Sequence, residues 1–229
     1  WGEMCAAAGF ISIHYVNAFS SNSLVAPYGG SDSRFTTNPY CTALPARNGA
    51  EPIVLDMATS QVAMGKVRVA HNKGEQMKPE TLIDHEGNPT NDPGVMYSEP
   101  KGSLRTMGLH KGYGLAVICE ALAGAFTGAG VFGPEHLSPG RIINNMLSVL
   151  IDPGAFGNRD EFDAEIEKFT KWVKASPPAP GVDEVMVPGE PERKSRAERL
   201  ENGVPIDDTT FEELRAAGEA VGLSRDEAM

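Results

Sequence analysis

The stretch IVLDMATS, residues Ile53–Ser60, decides how this chain folds. Three apolar residues run into an acid and then into small residues, two of which carry hydroxyl groups. The next segment, Gln61–Val67, has apolar positions at helical spacing. The order therefore predicts a buried strand, a corner at Asp56–Ser60 and the start of a helix at that corner.

A helix start at Asp56–Ser60 would suit an anionic ligand. The first turn of a helix has unpaired backbone N–H groups and the positive end of the helix dipole, so it favours a phosphate or a carboxylate. The Asp56 side chain would instead accept a hydrogen bond from a ribose hydroxyl. The alternative is that Asp56, Thr59 and Ser60 only cap the helix. The stretch alone leaves these interpretations open.

Length and composition place the chain among globular proteins. Its 229 residues are 41% hydrophobic and 22% charged, which is enough to bury a core in one domain or in two small ones. The formal net charge of −11 argues against nucleic acid and anionic membrane as partners, because both would need a basic face. A small anionic ligand would need local positive charge.

The sequence carries no sign of a membrane span or of export. No apolar run reaches transmembrane length, and no basic-then-apolar signal peptide opens the chain. The three cysteines, Cys5, Cys41 and Cys119, are odd in number and lack metal-ligand spacing. We therefore expect reduced thiols, a cytoplasmic location, no disulfide and no metal site. Because Trp1–Gly9 is typical of the last turns of a helix, we expect a segment upstream of Trp1 to be missing.

The segment His110–Leu115 is the second candidate binding element, and it opens an apolar helix. Two glycines at its start let a ligand approach the backbone, and Lys111 adds the positive charge that an acidic protein needs. The Gly-x-Gly pair is not a dinucleotide fingerprint, since it follows a loop and lacks a third glycine. Glu120, a charge within the apolar helix, either faces solvent or is paired.

Other polar residues have competing interpretations. His14 lies in a predicted strand, Phe10–Asn17, where a hydrogen-bonded structural role is the expected one. The turn-rich segment Ala18–Pro45 is predicted to be a long ordered loop, and its cation Arg34 either grips a carboxylate or forms a structural ion pair. The stretch Asp84–Pro93 predicts surface turns, because its spacing does not match a calcium loop.

Further elements are predicted toward the C-terminus. A buried strand begins near Asn144 and Asn145, which either bind an amide or hydroxyl group or serve in a turn. An amphipathic helix stops before Pro177, and a short strand with a tight turn follows at Val185–Pro191. The terminal helix starts with a capping box and is predicted to bury three apolar side chains. The capping box is Thr209-x-x-Glu212, and the three side chains are Phe211, Leu214 and Val221.

Taken together, these landmarks resemble one family. The matching motifs, in chain order, are Tyr28–Gly30, Arg34–Pro39, Asp56–Ser60, Gly65–Lys66, Asp84–Pro93, His110–Leu115 and Pro188–Glu190. Their order and spacing resemble the malate/L-lactate/L-sulfolactate dehydrogenase family that lacks a Rossmann fold. The resemblance covers almost the whole chain.

The resemblance implies an NAD- or NADP-dependent oxidoreductase that interconverts 2-hydroxy acids and 2-oxo acids, usually as a homodimer. It implies an α/β (α+β) class, with a three-layer fold and a mixed sheet. Residues 1–152 would form the NAD(P)-binding mixed-sheet domain, and residues 153–229 a helical part that carries the Pro-Gly-Glu turn. By matching motif, the cofactor contacts fall on Asp56, Met57, Ala58, Thr59, Ser60, His110, Lys111, Gly189 and Glu190, with Asn144 as a further match.

Two features depart from the family pattern. The family's proton-donating histidine lies in an N-terminal helical segment, which the resemblance places upstream of Trp1. None of the histidines of this chain aligns with it: His14, His71, His85, His110 and His136. The catalytic residues are therefore unknown within this chain. In addition, Lys66 stands where the related cyclic-imine reductases tend to carry an acid, which disfavours that activity.

Three functional hypotheses follow. The leading one is hydride transfer between a nicotinamide and the 2-carbon of a hydroxy acid, with Lys111 neutralising anionic charge. The second is a nucleotide-binding chain without catalysis, and the third is a cyclic-imine or ureidoglycolate oxidoreductase of the same fold. NAD and NADP are not distinguished, although Arg193 and Lys194, near the Pro-Gly-Glu turn, are candidates for contact with a 2′-phosphate.

Overall fold

A computed structural model describes residues 1–20, 22–46, 49–134 and 142–224, so His136 lies outside the described residues. The described α-helices are α1 Gly2–Ala7, α2 Met64–Lys73, α3 His110–Cys119, α4 Arg159–Lys174, α5 Glu190–Asn202 and α6 Asp208–Ala220. The described strands are β1 Ile11–Phe19, β2 Tyr40–Leu44, β3 Ile53–Met57, β4 Leu82–Ile83, β5 Pro89–Thr90, β6 Ser103–Leu104 and β7 Ile143–Ile151. Short 3₁₀ helices at Pro93–Met96 and Pro153–Ala155 and a π-helix at Glu120–Phe126 accompany them.

The main sheet is built around β1. Its four strands lie in the order β3-β2-β1-β7, and each pair of neighbours is antiparallel. One row across the sheet joins Asp56, Cys41, His14 and Ser148. The helix α3 and the π-helix that continues it both contact β1. The end of β3 and the start of β7 therefore lie at the same end of the main sheet, but on its opposite edges.

A second, smaller sheet organises the apolar core. Its strands lie in the order β5-β4-β6, and each is two residues long. A cluster of buried side chains joins this sheet to α2 and to the loop after β1: Val25, Val67, Leu82, Met96 and Leu104. These side chains leave water together, so they stabilise the region where the loop, the helix and the small sheet meet.

The two sheets and the surrounding helices confirm the predicted α/β class. The strand ladders are antiparallel in the part of the chain that the structure describes. A parallel pairing is present as an isolated bridge between Val25 and Leu104.

The helix start predicted at Asp56–Ser60 is wrong. Asp56 lies inside β3, and α2 begins only at Met64, after Ala63, with no side-chain cap. The corner is held instead by hydrogen bonds to neighbouring segments, because the Thr59 N–H donates to the Thr37 carbonyl at 2.9 Å. Thr59 and Ser60 therefore do not cap a helix.

Two strand predictions also need correction. The loop predicted from Ala18 to Pro45 contains β2, because Tyr40–Leu44 alternates and fills the place between β1 and β3. The strand predicted within Val185–Pro191 is absent from the described structure of that segment, which is irregular up to a turn at Pro188 and Gly189 and then begins α5. The strand β7 exists as predicted, but it lies at the edge of the sheet, so most of its positions are exposed rather than buried.

The terminal helix begins earlier and packs less than predicted. Its N-cap is Asp207, whose carboxylate accepts a hydrogen bond from the Thr210 N–H at 2.9 Å. Phe211 is half-buried, whereas Leu214 and Val221 are 52% and 79% exposed. The helix α4 is confirmed and ends at Lys174, before the prolines.

Candidate functional site

The two corners predicted to bind a ligand lie against each other. The Met107 N–H donates to the Thr59 carbonyl at 2.9 Å, and the Gln61 N–H donates to the Arg105 carbonyl at 2.8 Å. Between these bonds, Ser60 and Thr106 form an isolated antiparallel bridge. The segment that leads into α3 is therefore paired through its backbone with the residues that follow β3, over three successive positions.

A glycine makes the closest part of this junction possible. A Cβ atom built on Gly112 would lie 2.7 Å from the Thr59 carbonyl oxygen and would also strike the Met107 carbonyl oxygen. No side chain larger than hydrogen fits there without moving backbone. The first turn of α3 can therefore approach the Asp56–Ser60 corner only because position 112 is glycine.

The start of α3 presents side chains rather than free backbone amides. The N–H groups of Lys111 and Gly112 donate to the carbonyls of Gly108 and Met107, at 3.2 and 2.9 Å. His110 and Lys111 are exposed, and the Lys111 ammonium has no ion-pair partner among the described residues. The positive charge at this corner is therefore that of Lys111, and the Lys111 and Gly112 amides are already engaged within the protein.

Asp56 and the residues after it differ in exposure. Asp56 is exposed at the end of β3, whereas Thr59 and Ser60 are buried. Burial raises the pKa of the neighbouring Cys41 thiol to about 11, and the negative charge of Asp56 acts in the same direction. The corner thus offers one free carboxylate to solvent, next to a thiol that stays protonated at neutral pH.

A buried polar cluster that the sequence analysis missed lies behind the junction. The Glu120 carboxylate is 8% exposed and accepts hydrogen bonds from the Asn17 side-chain amide at 3.0 Å and from the Asn38 side-chain amide at 2.7 Å. It also accepts one from the Phe132 N–H. Glu120, left open as solvent-facing or paired, is therefore paired. Asn38 has a φ of 28°, and its side-chain oxygen accepts a hydrogen bond from the Thr36 hydroxyl.

This cluster supports the candidate site through one short segment. Asn38 is tied to Glu120, while the Thr37 carbonyl next to it accepts hydrogen bonds from both the N–H and the hydroxyl of Thr59. Glu120 begins the π-helix that continues α3, so one carboxylate links that helix to the corner. The sequence shows a charged residue in an apolar helix, but it does not show that the partners of this residue lie on β1 and in the loop before β2.

His14 has the structural role expected of it. The ring is 2% exposed, with Nδ1 lying 2.8 Å from the Ser148 hydroxyl and Nε2 lying 3.0 Å from the Ser12 hydroxyl. Burial lowers the pKa of His14, and the nearby N-terminal ammonium lowers it further against an opposing effect of Asp56. His71 stacks on Tyr97, with ring centroids 4.3 Å apart, and His85 lies 4.0 Å from the Glu86 carboxylate.

The Pro-Gly-Glu turn lies along the free edge of β3. The Val54 N–H donates to the Pro188 carbonyl at 3.1 Å, and Gly189 adopts a φ of 96°. The Glu190 carboxylate accepts hydrogen bonds from the Lys174 ammonium at 2.6 Å and from the Val187 N–H at 2.9 Å. The hydrogen bond from Lys174 is the main reason that the pKa of Glu190 lies below its usual range. This turn lies near the start of β3, whereas the Asp56–Ser60 corner lies at its end.

Two other candidates lie apart from the junction. Asn144 is exposed on β7, at the opposite edge of the sheet from β3, and its neighbour Asn145 donates to the Asn17 side-chain carbonyl at 3.0 Å. Arg34 forms an exposed bidentate ion pair with Asp32, which selects the structural alternative for that residue. The structure therefore brings together Asp56–Ser60 with His110 and Lys111, and leaves Asn144 three strands away.

The described ranges contain no group of three or more His, Cys, Asp or Glu side chains placed to hold a metal ion. Of the surface turns predicted at Asp84–Pro93, the one at Asp84–Asn88 is present, because Asp84 accepts hydrogen bonds from the N–H groups of Glu86 and Asn88, whereas Pro89–Thr90 forms β5. Among the helices that the structure describes, none combines the length and the apolar character that a membrane crossing needs.

The fold and the order of its motifs define the class of this protein. The family model of malate/L-lactate dehydrogenase matches residues 1–215, so the chain belongs to the malate/L-lactate dehydrogenase family. A curated relative, hydroxycarboxylate dehydrogenase B of Escherichia coli strain K12, is 44% identical over 97% of this chain. L-lactate dehydrogenase of Cupriavidus necator is 43% identical over 86% of this chain.

Solved structures agree with the sequence relatives. A structure from E. coli superposes on the whole chain with a TM-score of 0.91 at 43% identity and is covered over 63% of its own length. Sulfolactate dehydrogenase from Methanocaldococcus jannaschii superposes on 98% of this chain with a TM-score of 0.74 at 28% identity, with 63% of that chain covered. The sulfolactate-dehydrogenase-like fold predicted from the motifs is therefore confirmed.

The chain spans less than two thirds of the curated relatives it matches. It covers 61% of the E. coli hydroxycarboxylate dehydrogenase B and 57% of the C. necator lactate dehydrogenase.

Proposed function

We propose that this chain is part of an NAD(P)-dependent oxidoreductase that interconverts 2-hydroxycarboxylates and 2-oxocarboxylates by hydride transfer. The observation that carries the proposal is the junction of the two corners, where Thr59 meets Gly112 and the adjacent Lys111 ammonium has no partner among the described residues. In a chain with a net charge of −11, an unpaired cation beside this junction would attract an anionic ligand that most of the surface repels.

The residues at the junction fit a nicotinamide dinucleotide. Lys111 would neutralise phosphate charge, and the exposed Asp56 carboxylate would accept hydrogen bonds from ribose hydroxyls. The buried Thr59 and the Glu120 cluster would hold the backbone of the corner in place while the ligand binds. The nicotinamide ring supplies the hydride chemistry, and the protein supplies orientation and charge placement.

Several finer features belong to the same proposal. The remaining assigned contacts, Met57, Ala58, Ser60, His110, Gly189, Glu190 and Asn144, are proposed on motif grounds. We also propose the division at residue 152, a cytoplasmic location and a homodimer. The structure does not favour a 2′-phosphate at Arg193 or Lys194, because Arg193 donates to the Pro52 carbonyl and Lys194 pairs with Glu184.

A nucleotide-binding chain without turnover is the second candidate. It would bind the dinucleotide at the same junction, but it needs no histidine that exchanges the substrate proton. The buried His14 cannot fill that role, since both ring nitrogens are engaged by serine hydroxyls.

One set of assays separates these functions. Absorbance at the reduced-nicotinamide band is followed with NADH and with NADPH across a set of 2-oxo acids, including 2-oxoglutarate and phenylpyruvate, and binding of each nucleotide is measured in parallel. Turnover of at least one 2-oxo acid supports the dehydrogenase, and nucleotide binding without turnover supports the second candidate. Turnover of a cyclic imine or formation of ureidoglycolate instead, or absence of nucleotide binding, would overturn the proposal.

A further inference from the structure

A second cavity, next to the junction but separate from it, has features of a binding site. It has a volume of about 450 Å³ and lies between the glycine-rich loop 26–31, the turn 86–89 and the segment 105–109. That volume falls in the range of small-molecule sites, about 300 to 1,000 Å³. The cavity wall includes Tyr28, whose ring meets the His110 ring at a centroid distance of 6.0 Å.

An arginine in the cavity wall lacks a partner. Nη1 of Arg105 is buried and has no hydrogen bond within the ranges that the structure describes. Arg159 also has one buried unbonded nitrogen, but its Nε is bonded to Asp163 at 3.0 Å. No ion pair to Arg105 is present in the described part of the chain. One nitrogen of the half-buried Arg105 side chain is therefore shielded from solvent without a hydrogen bond.

A buried donor of this kind destabilises the fold unless an acceptor pairs with it. A buried donor without a partner loses its hydration and gains nothing in return, and the loss is greater when the donor is charged. The planar guanidinium matches a carboxylate or a phosphate, which accepts two parallel N–H bonds. An oxyanion in the cavity would restore those bonds.

The rest of the cavity wall tolerates an anion. The carboxylate in the wall, that of Glu86, accepts a hydrogen bond from the Asn88 amide at 3.2 Å and lies 4.0 Å from the His85 ring. One of its oxygens is thus already engaged by a neighbouring side chain. Gly29 and Gly87 have φ values of 83° and 91°, so backbone turns without side chains border the space.

We propose that this cavity binds a small ligand through its carboxylate or phosphate group, with Arg105 as the anchoring residue. The site is separate from the Lys111 junction and does not depend on turnover or on the proposed cofactor. A carboxylate would come from an organic acid, and a phosphate from a nucleotide or a phosphorylated metabolite.

Thermal unfolding of the 229-residue chain at constant ionic strength tests the site. The wild type, Arg105→Met and Arg199→Met are compared in chloride, in inorganic phosphate, with ADP and with oxaloacetate. Arg199→Met removes the same charge from an exposed position on α5. We expect a saturable rise of the wild-type melting temperature with at least one oxyanion, because a ligand that binds the folded state stabilises it. The response of oxaloacetate against phosphate and ADP identifies the source of the anion.

The two variants should differ in the response of their melting temperatures to anions. Arg105→Met should lose the anion response, with affinity reduced on the order of tenfold to a hundredfold, while its melting temperature in chloride should equal or exceed that of the wild type. Arg199→Met should respond as the wild type does. An equal response in Arg105→Met, or no wild-type response to any of the anions, would overturn the proposal.

A conservative variant covers the case in which Arg105→Met does not fold. Arg105→Lys keeps the charge but loses the bidentate geometry. It should fold and bind the same oxyanion more weakly than the wild type. Unchanged affinity in Arg105→Lys, measured by calorimetry, would contradict an anchoring role for the guanidinium. Because these measurements compare the anion response of the Arg105 variants with that of the wild type and follow no turnover, their failure is distinguishable from failure of the proposed dehydrogenase activity.

Discussion

A single ammonium group gives the candidate site its charge. Lys111 lies one residue before the glycine that contacts Thr59, and it has no ion-pair partner among the described residues. The N–H groups of Lys111 and Gly112 are already bonded within the protein. The attraction for an anion at this corner therefore depends on one side chain.

Replacing that side chain should weaken nucleotide binding. In Lys111→Ala we expect the dissociation constant for NADH or NADPH to rise about tenfold, since a charge-assisted contact is lost. Fluorescence titration of the reduced nicotinamide measures the change. Lys78→Ala, which removes an exposed lysine elsewhere, is the matched control. Equal affinities in the two variants would remove Lys111 from the site.

His14 should make stability depend on pH. Because burial lowers its pKa in the folded chain, its contribution is complete above the ordinary value of 6.5 and is lost as the pH falls from there toward the lowered pKa. Urea unfolding between about pH 5 and 8 should show falling stability on the acid side. His14→Gln should flatten that slope, whereas His85→Gln, at an exposed position, should not. The same slope in all three proteins would contradict this account.

The elements around the site are held by a carboxylate and a glycine. Glu120 joins the π-helix to β1 and to the loop before β2, and Gly112 lets α3 approach the end of β3. One contributes hydrogen bonds and the other contributes space. Each residue can be tested against a control residue of the same type that lacks these contacts.

Glu120→Gln should destabilise the chain. An amide in place of the carboxylate turns an N–H₂ group toward one of the N–H donors that Glu120 now accepts from, so at least one buried bond is lost. We expect a cost of about 1–3 kcal/mol in the free energy of unfolding. Glu165→Gln, which breaks an exposed pair with Lys168, should cost less than about 1 kcal/mol. A Glu120 variant as stable as the Glu165 variant would show that the cluster is unimportant.

Gly112→Ala should separate the two corners. Its Cβ would lie 2.7 Å from the Thr59 carbonyl oxygen, so backbone must move, at a cost of about 1–3 kcal/mol. Gly114→Ala, two residues further along α3, meets nothing within 4 Å and should be neutral or stabilise the helix by up to about 1 kcal/mol. Chemical unfolding of both variants measures the difference. Equal stability would contradict the close packing at Gly112.

Some of these elements were predictable from local pattern and others were not. Periodicity located β1 and α4, because each repeats its apolar residues at one spacing. The start of α2 was misplaced, since small polar residues after β3 resemble a cap, while their actual partners, Thr37 and Met107, are distant in the chain. The same reason hid the bonds of Glu120 to Asn17 and Asn38.

At the scale of the whole molecule, two of the motifs, Asp56–Ser60 and the segment that leads into α3, meet without a helix start at the first corner. The order of β3-β2-β1-β7 puts Asn144 and the Asp56–Ser60 corner on opposite edges of the main sheet, and the Pro-Gly-Glu turn runs along β3. Motif order identified the family, because spacing along the chain survives even where the local structure of a motif is misassigned. It did not reveal the cavity beside Arg105, which forms from three separate segments.

The most direct test of the account is a crystal structure of this chain with bound NADH or NADPH. The account predicts nucleotide phosphate oxygens within hydrogen-bond distance of the Lys111 ammonium, and a ribose or phosphate contact to Asp56–Ser60 in the same molecule. A nucleotide bound on another surface, or touching only one of the two corners, would contradict the claim that their junction is the binding site.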